Sequence, residues 1–356
     1  MKALLSALLT AGLVGLAAEP VVAQQEWSFE GDEVLVSNLI GEVTVRGHDG
    51  ARIVVRVRPG GGDAGILDYR VKQGGSAEFH VVYPLADVLD YDYPRRRGGR
   101  TEIRVGNWRR ASSFMEDLYS GVSSRDEIEI RGGRGAEAWA DLEILVPRGV
   151  KTHVRLAVGE VEARDVQADI FLDTYSGPAR AMNITGRTHI DTGSGSVAVS
   201  MIRGDLHVDT GSGRVEAEDV QGDDILIDTG SGSVTLDRAT GRSVKIDTGS
   251  GSVTASEIDA DDTVVNTGSG SVTLDLVRMG TGRHLVDTGS GRVTVYLPED
   301  ASCRITADTG SGGIELDIPN AQLRRMSRDH IELMVGDGAG DLEIDTGSGS
   351  IAIRRR

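Results

Sequence analysis

Apolar and polar residues alternate with period two along most of this chain, the signature of strands that bury one face. The alternation is organised around a five-residue motif. D-T-G-S-G begins at Asp191, Asp209, Asp228, Asp247, Asp287, Asp308 and Asp345, with N-T-G-S-G at Asn266 and D-T-Y-S-G at Asp173. From Asp173 to Asp308 the successive offsets are 18, 18, 19, 19, 19, 21 and 21 residues. The final step to Asp345 is 37 residues, room for one degenerate rung around Ile331 to Gly340.

Apolar columns recur at fixed places around the motif. One precedes the Asp (Ile190, Val208, Ile227, Ile246), and two follow it by six and eight residues (Val215 and Ala217, Val234 and Leu236). A third follows by eleven (Ile202, Val220, Ala239, Ile258). Residues two apart on a strand share a face, so these columns point inward. No single repeat buries its apolar side alone, so repeats must stack into a continuous core. The pattern predicts an all-β, single-stranded β-solenoid of the β-helix type, with 18–21-residue coils turning at D-T-G-S-G. With strands about 4.8 Å apart, ten or so coils make a rod of roughly 50 Å.

The repeat extends weakly upstream. Leu156 to Ala163 aligns with the same columns, and Val34 to Val45 has the same strand–Gly–strand grammar. The chain divides into an export segment, 1–23, a β-rich region, 24–150, and the repeat solenoid, 151–356. The middle region supplies first coils or a cap. It holds an irregular stretch, about 84–135, expected to be a long loop or insertion. That stretch carries Arg95, Arg96, Arg97, Arg100, Arg104, Arg109 and Arg110. It reads as a solvated loop pairing with the acidic rod, or as a docking loop for anionic polysaccharide or lipid headgroups. Tyr91, Tyr93 and Trp108 would be the aromatic elements of such a docking loop.

Lys2, the apolar run Ala3 to Ala18 and Val21-Val22-Ala23 form a secretory signal, so the mature chain is expected to begin at Gln24. No later stretch approaches the roughly 20 apolar residues of a membrane span. The expectation is export to the periplasm, cell surface or beyond. Cys303 is the single cysteine, which excludes an internal disulfide and reads as a small packed side chain. A net charge of −17 excludes generic nucleic-acid binding.

D-T-G is also the triplet of aspartic proteases, where two carboxylates share a proton. That chemistry needs two opposed loops, whereas coil spacing places these carboxylates in a column. The motif is therefore expected to be a turn. Gly230 and Gly232 would supply positive φ, Asp228 and Ser231 would bond the turn backbone, and Thr229 would form a hydroxyl ladder. No nucleophile–base pair, P-loop or dinucleotide fingerprint is apparent, and the chain reads as a non-enzyme with no catalytic residues.

Two metal sites are conceivable on the outer face. Stacked carboxylates such as Asp228 and Asp247 repel by roughly 1 kcal/mol per neighbour, which Ca²⁺ would relieve. His189, Asp191, His207 and Asp209 would form a two-by-two patch of transition-metal ligand types. The simpler readings are that each carboxylate caps its own turn and that the histidines are merely exposed.

The export signal, the V-x-N-x-x-G-x-V-x-V opening at Val36, the I-L-V-P strand at Ile144 and the D-T-G-S-G-S-V units resemble the bacterial putative-adhesin family. That family is a domain-of-unknown-function group of β-strand-repeat proteins. The resemblance implies an exported β-solenoid without known catalytic residues; the leading reading of the chain is an adhesin-like interaction module of the cell envelope. Its partner would be an envelope or cell-surface glycan or protein, or another copy of itself. The alternative is a periplasmic structural or envelope-stress accessory. A polysaccharide hydrolase is disfavoured, because from residue 151 onward the chain has no Trp and only Tyr175 and Tyr296 as candidate sugar platforms.

Overall fold

The computed structural model describes residues 24–95, 99–110 and 112–356. Residues 1–23, read above as an export signal, and Arg96 and Arg97 lie outside them. The chain is all-β and solenoid-like, with one 27-stranded sheet and a second sheet of four strands among the described residues.

The large sheet runs in two rows, and the chain alternates between them. In the first row Ile170–Ser176, Thr188–Ser194 and Leu206–Thr210 pair in parallel, with Asp173, Asp191, Asp209 and Asp228 in register. The register continues through Asp247, Asn266 and Asp287. In the second row Val161–Val166, Ala179–Thr185, Val197–Arg203 and Val215–Gln221 pair likewise, with Val161, Ala179, Val197 and Val215 opposite one another. Ile190, Val208, Ile227, Val215, Val234 and Leu236 are buried between the rows. Each aliphatic side chain withdrawn in this way stabilises the stack by about 1.5–3 kcal/mol before entropy is counted.

The G-S-G links obey a different rule from the one expected. Neither Gly230 nor Gly232 has φ in the left-handed range. Glycine is needed because levels stack backbone on backbone: a Cβ on Gly232 would lie 1.7 Å from the Gly213 carbonyl oxygen. Left-handed backbone falls instead on residues of no common type. Asp165, Asn183, Met201, Asp219, Arg238 and Glu257 all have φ between 52° and 55°, one per level, each just before a third-column apolar residue.

Hydrogen bonding at the links also corrects the sequence reading. The Asp228 carboxylate and the Ser231 hydroxyl make no hydrogen bond to the turn backbone. Threonine does that work. Thr229 is fully buried, its hydroxyl accepts from Gly232 N at 3.0 Å and donates to Gly213 O at 3.3 Å. Thr248, Thr267 and Thr288 repeat the arrangement. Upstream, Asn38 takes the threonine position, and its side-chain amide donates to Ala140 O at 2.7 Å.

The end of the rod is not sequential. Gly340–Thr346 lies between Arg283–Thr288 and Cys303–Thr309, parallel to both, so Asp345 sits between Asp287 and Asp308. Ile351–Arg355 is likewise held between Val293–Leu297 and Ile314–Asp317. The chain thus leaves one level open and returns to fill it. The degenerate rung expected near Ile331 does not exist: His330–Val335 runs antiparallel to Cys303–Thr309 as the inner arm of a hairpin whose outer arm is Gln322–Met326. Antiparallel strands close the other end too, where Gln25–Phe29 pairs with Ile53–Gly60 and Asp68–Lys72 with Ser76–Val82.

The described residues of the stretch 84–135 are folded rather than a loop. Asp90–Asp92, Arg100–Arg104 and Glu127–Arg131, with Ala136–Glu137, form the small sheet, joined by the short helices Val105–Arg109 and Ser113–Leu118. Tyr91, Tyr93 and Trp108 are buried in it, so they are core residues and not the aromatics of a docking loop. Arg95 bonds both oxygens of Asp141 at 3.0 Å, while Arg100 and Arg131 pair with Glu129 inside the small sheet.

Candidate functional site

Strand parity puts the residue two before each motif Asp on the outer face, next to the Asp column. In four consecutive levels that residue is His153, Phe171, His189 and His207, each opposite the next in register. The rings form a ladder. His153 and Phe171 stack at 4.3 Å and 9°, Phe171 and His189 lie 5.7 Å apart, and His189 meets His207 edge-on at 4.5 Å. Phe171 stands outward between two imidazoles, partly buried, with its ring stacked on His153.

Charge frames the ladder. Lys151 Nζ lies 5.1 Å from the Phe171 ring centre, and His153 Nε2 is 3.0 Å from Glu33. Arg155 occupies the Asp place one level before Asp173 and pairs with it at 3.4 Å. Its guanidinium also donates to Asn107 O at 2.9 Å and lies over the Trp108 ring, so the helix Val105–Arg109 walls the ladder at one end.

Burial lowers the pKa of His153 and His189, with the neighbouring His207 adding to the effect at His189. Both are therefore neutral rings at neutral pH. Burial first, then the next carboxylate in the column, raises Asp191 and Asp228 above the ordinary Asp value.

The structure sets His189 beside His207 and Asp191 beside Asp209. Asp228 and Asp247 are similarly opposite one another. Among the described residues no group of three or more His, Cys, Asp or Glu side chains is arranged to hold a metal ion. Cys303 is buried, and burial followed by the Asp341 charge pushes its thiol up to about 12. Such a thiol is inert at neutral pH.

The second row carries its own concavity. Small outward residues at Ala198 and Ser200 leave a groove of about 460 Å³ between Arg180, Met182, Glu216 and Glu218.

The residues 67–354 match the family described as Toastrack DUF4097. The chain belongs to that family. The match runs through residues 84–135, so the small sheet and its helices are part of the Toastrack region. No curated protein matches the chain. A solved structure of a putative cell adhesion protein from Clostridium sporogenes aligns with it at 12% identity and a TM-score of 0.23, covering 94% of this chain and 99% of that one.

The Toastrack chain also holds a cluster that sequence reading missed. Ser37 donates to His80 Nδ1 at 2.6 Å, and His80 Nε2 donates to Glu78 at 2.9 Å. Glu78 further accepts from Lys72 Nζ and Ser112 Oγ, both at 2.6 Å. Burial pushes the Glu78 carboxyl up, but these donors outweigh it and hold it below its ordinary value. Burial in turn lowers His80, which is neutral between them.

Serine, imidazole and carboxylate in this order match the hydrolase arrangement. Ser37 and His80 are nevertheless fully buried, and His80 stacks on Phe114 of the helix Ser113–Leu118 at 5.4 Å. No substrate carbonyl reaches the hydroxyl in this conformation. The cluster fastens the helix to the rod. Ser112 caps that helix through Met115 N and simultaneously bonds Glu78.

Proposed function

We propose that this Toastrack chain is a non-catalytic, exported, adhesin-like binding module of the cell envelope. It presents a single-stranded β-solenoid, whose 18–21-residue coils turn at D-T-G-S-G, as a rigid repetitive surface. The observation that carries this reading is the outward His153–Phe171–His189–His207 ladder beside the Asp column. Outward rings 4.3 to 5.7 Å apart, flanked by carboxylates, Arg155 and Lys151, offer apolar ring edges and hydrogen-bond partners together. Those are the features that hold a polyhydroxylated ligand such as an envelope glycan.

No helix among the described residues is long and apolar enough to cross a membrane. The proposed partner is therefore met by surface contact rather than through an anchoring helix in that region. Retention of the purified chain on immobilised envelope polysaccharide tests the reading. The wild type should be retained, and a Phe171→Ala/His189→Ala double variant should elute with the void volume. Equal retention of both proteins would remove the ladder from binding.

A further inference from the structure

The strand Gln322–Met326 ends the first sheet row, bonded to His330–Val335 on one side with no strand on the other. All five of its residues are exposed. Leu323 and Met326, at 52% and 62% exposure, are the most exposed large apolar side chains among the described residues. Between them lie Arg324 and Arg325, with Arg328 just beyond. Among the described residues neither Arg324 nor Arg325 makes an ion pair within 4 Å, although Glu332 lies opposite Arg325 in register and the chain carries a net charge of −17. Arg324 donates only to Met334 Sδ, at 3.6 Å.

Charge and the register shift between Leu323 and Arg325 both blunt this edge, yet the strand is not polar along its length. Here two apolar side chains flank the charge. Two copies meeting edge to edge would set arginine against arginine, which disfavours a second copy as the occupant. We propose that Gln322–Met326 accepts an extended acidic polypeptide segment by strand addition. The open backbone edge supplies the ladder, Arg324 and Arg325 select adjacent carboxylates, and Leu323 and Met326 cover the aliphatic residues beside them. This surface is separate from the aromatic ladder and does not depend on it.

The probe is a fluorescein-labelled decapeptide with a Val-Glu-Glu-Val centre, titrated with the mature protein and followed by fluorescence anisotropy. Saturable binding is expected, weakening as salt rises and falling about tenfold in Arg324→Glu/Arg325→Glu. A peptide N-methylated at alternate residues keeps its charge but loses ladder donors, so its binding should also drop at least about tenfold. The Phe171→Ala/His189→Ala protein should bind the peptide normally, which separates this surface from the glycan reading. Absence of binding, equal binding of the N-methylated peptide, or indifference to the charge reversal would each overturn the proposal. Binding to phosphatidylglycerol vesicles without binding to the peptide would overturn it in favour of a lipid-facing edge.

Discussion

The Thr229 hydroxyl spans two levels of the rod, accepting from Gly232 N in its own level and donating to Gly213 O in the one before. The buried corner is thereby satisfied without water, and its repetition at Thr248, Thr267 and Thr288 locks neighbouring levels together. Replacing the hydroxyl by a methyl group of the same shape strands a buried donor and a buried acceptor. Thr229→Val should lose about 1–3 kcal/mol of stability in denaturant unfolding, and Thr229→Ser much less.

The glycines beneath those threonines should tolerate nothing larger. A Cβ on Gly251 would sit 1.8 Å from the Gly232 carbonyl oxygen, whereas one on Gly313 meets nothing within 4 Å. Gly251→Ala is expected to cost about 3 kcal/mol, and Gly313→Ala to stay within about 0.5 kcal/mol of the wild type. Melting temperatures of the two variants check the contrast.

Met201 and Glu257 hold left-handed backbone at φ 54° and 52°. A side chain in that region costs about 1–2 kcal/mol relative to glycine, offset in part by the greater freedom glycine gains when unfolded. Met201→Gly should therefore leave stability unchanged or raise it by up to about 1 kcal/mol. Met201→Val should lower it, because β-branching makes left-handed backbone harder still. The order of the three proteins in thermal unfolding is the readout.

Burial, with the charges of Asp247 and Asp209, raises the Asp228 carboxyl above its ordinary value of 3.8. A carboxyl raised in the fold binds its proton more tightly there than in the unfolded chain. Its stabilising contribution is thus complete below the ordinary value and disappears as pH rises through the raised one. Asp228→Asn should melt above the wild type at neutral pH, and the gap should close as pH falls towards the Asp range. Added salt should narrow the same gap by screening the column.

His80 behaves in the opposite sense. Burial holds it below its ordinary 6.5, so its contribution is present above that value and disappears as pH falls through the lowered one. Acid should loosen the helix Ser113–Leu118 before the rod. Limited proteolysis should cut within 105–122 faster as pH drops below 6.5, and His80→Gln should flatten that dependence.

Much of this arrangement is written in the spacing of the chain. The motif offsets give the register of Asp173 through Asp287 directly, because identical residues at coil spacing can only stack. The insertion of Asp345 between Asp287 and Asp308 is invisible, since all three begin the same motif and no local signal says which levels are neighbours. The left-handed column is equally silent. Asp165, Asn183, Met201 and Arg238 share a backbone geometry but no chemistry.

The candidate ladder was half legible. His189 and His207 stand two before an Asp at matched places, but Phe171 and His153 precede Asp173 and Arg155, which weakens the pattern. The Ser37–His80–Glu78 cluster depended on pairing between strands 43 residues apart, set by the hairpin that closes the rod. Composition misled on Tyr91, Tyr93 and Trp108, where arginines on the surface of the small sheet concealed an aromatic core.

The central claim, an exported module that meets envelope partners on the outside, is tested most directly by protease shaving of intact cells. Lysed cells serve as the control, and an antibody against the solenoid follows the fragments. The account predicts cleavage on intact cells. Protection until lysis would contradict the adhesin-like reading and point to partners within the periplasm.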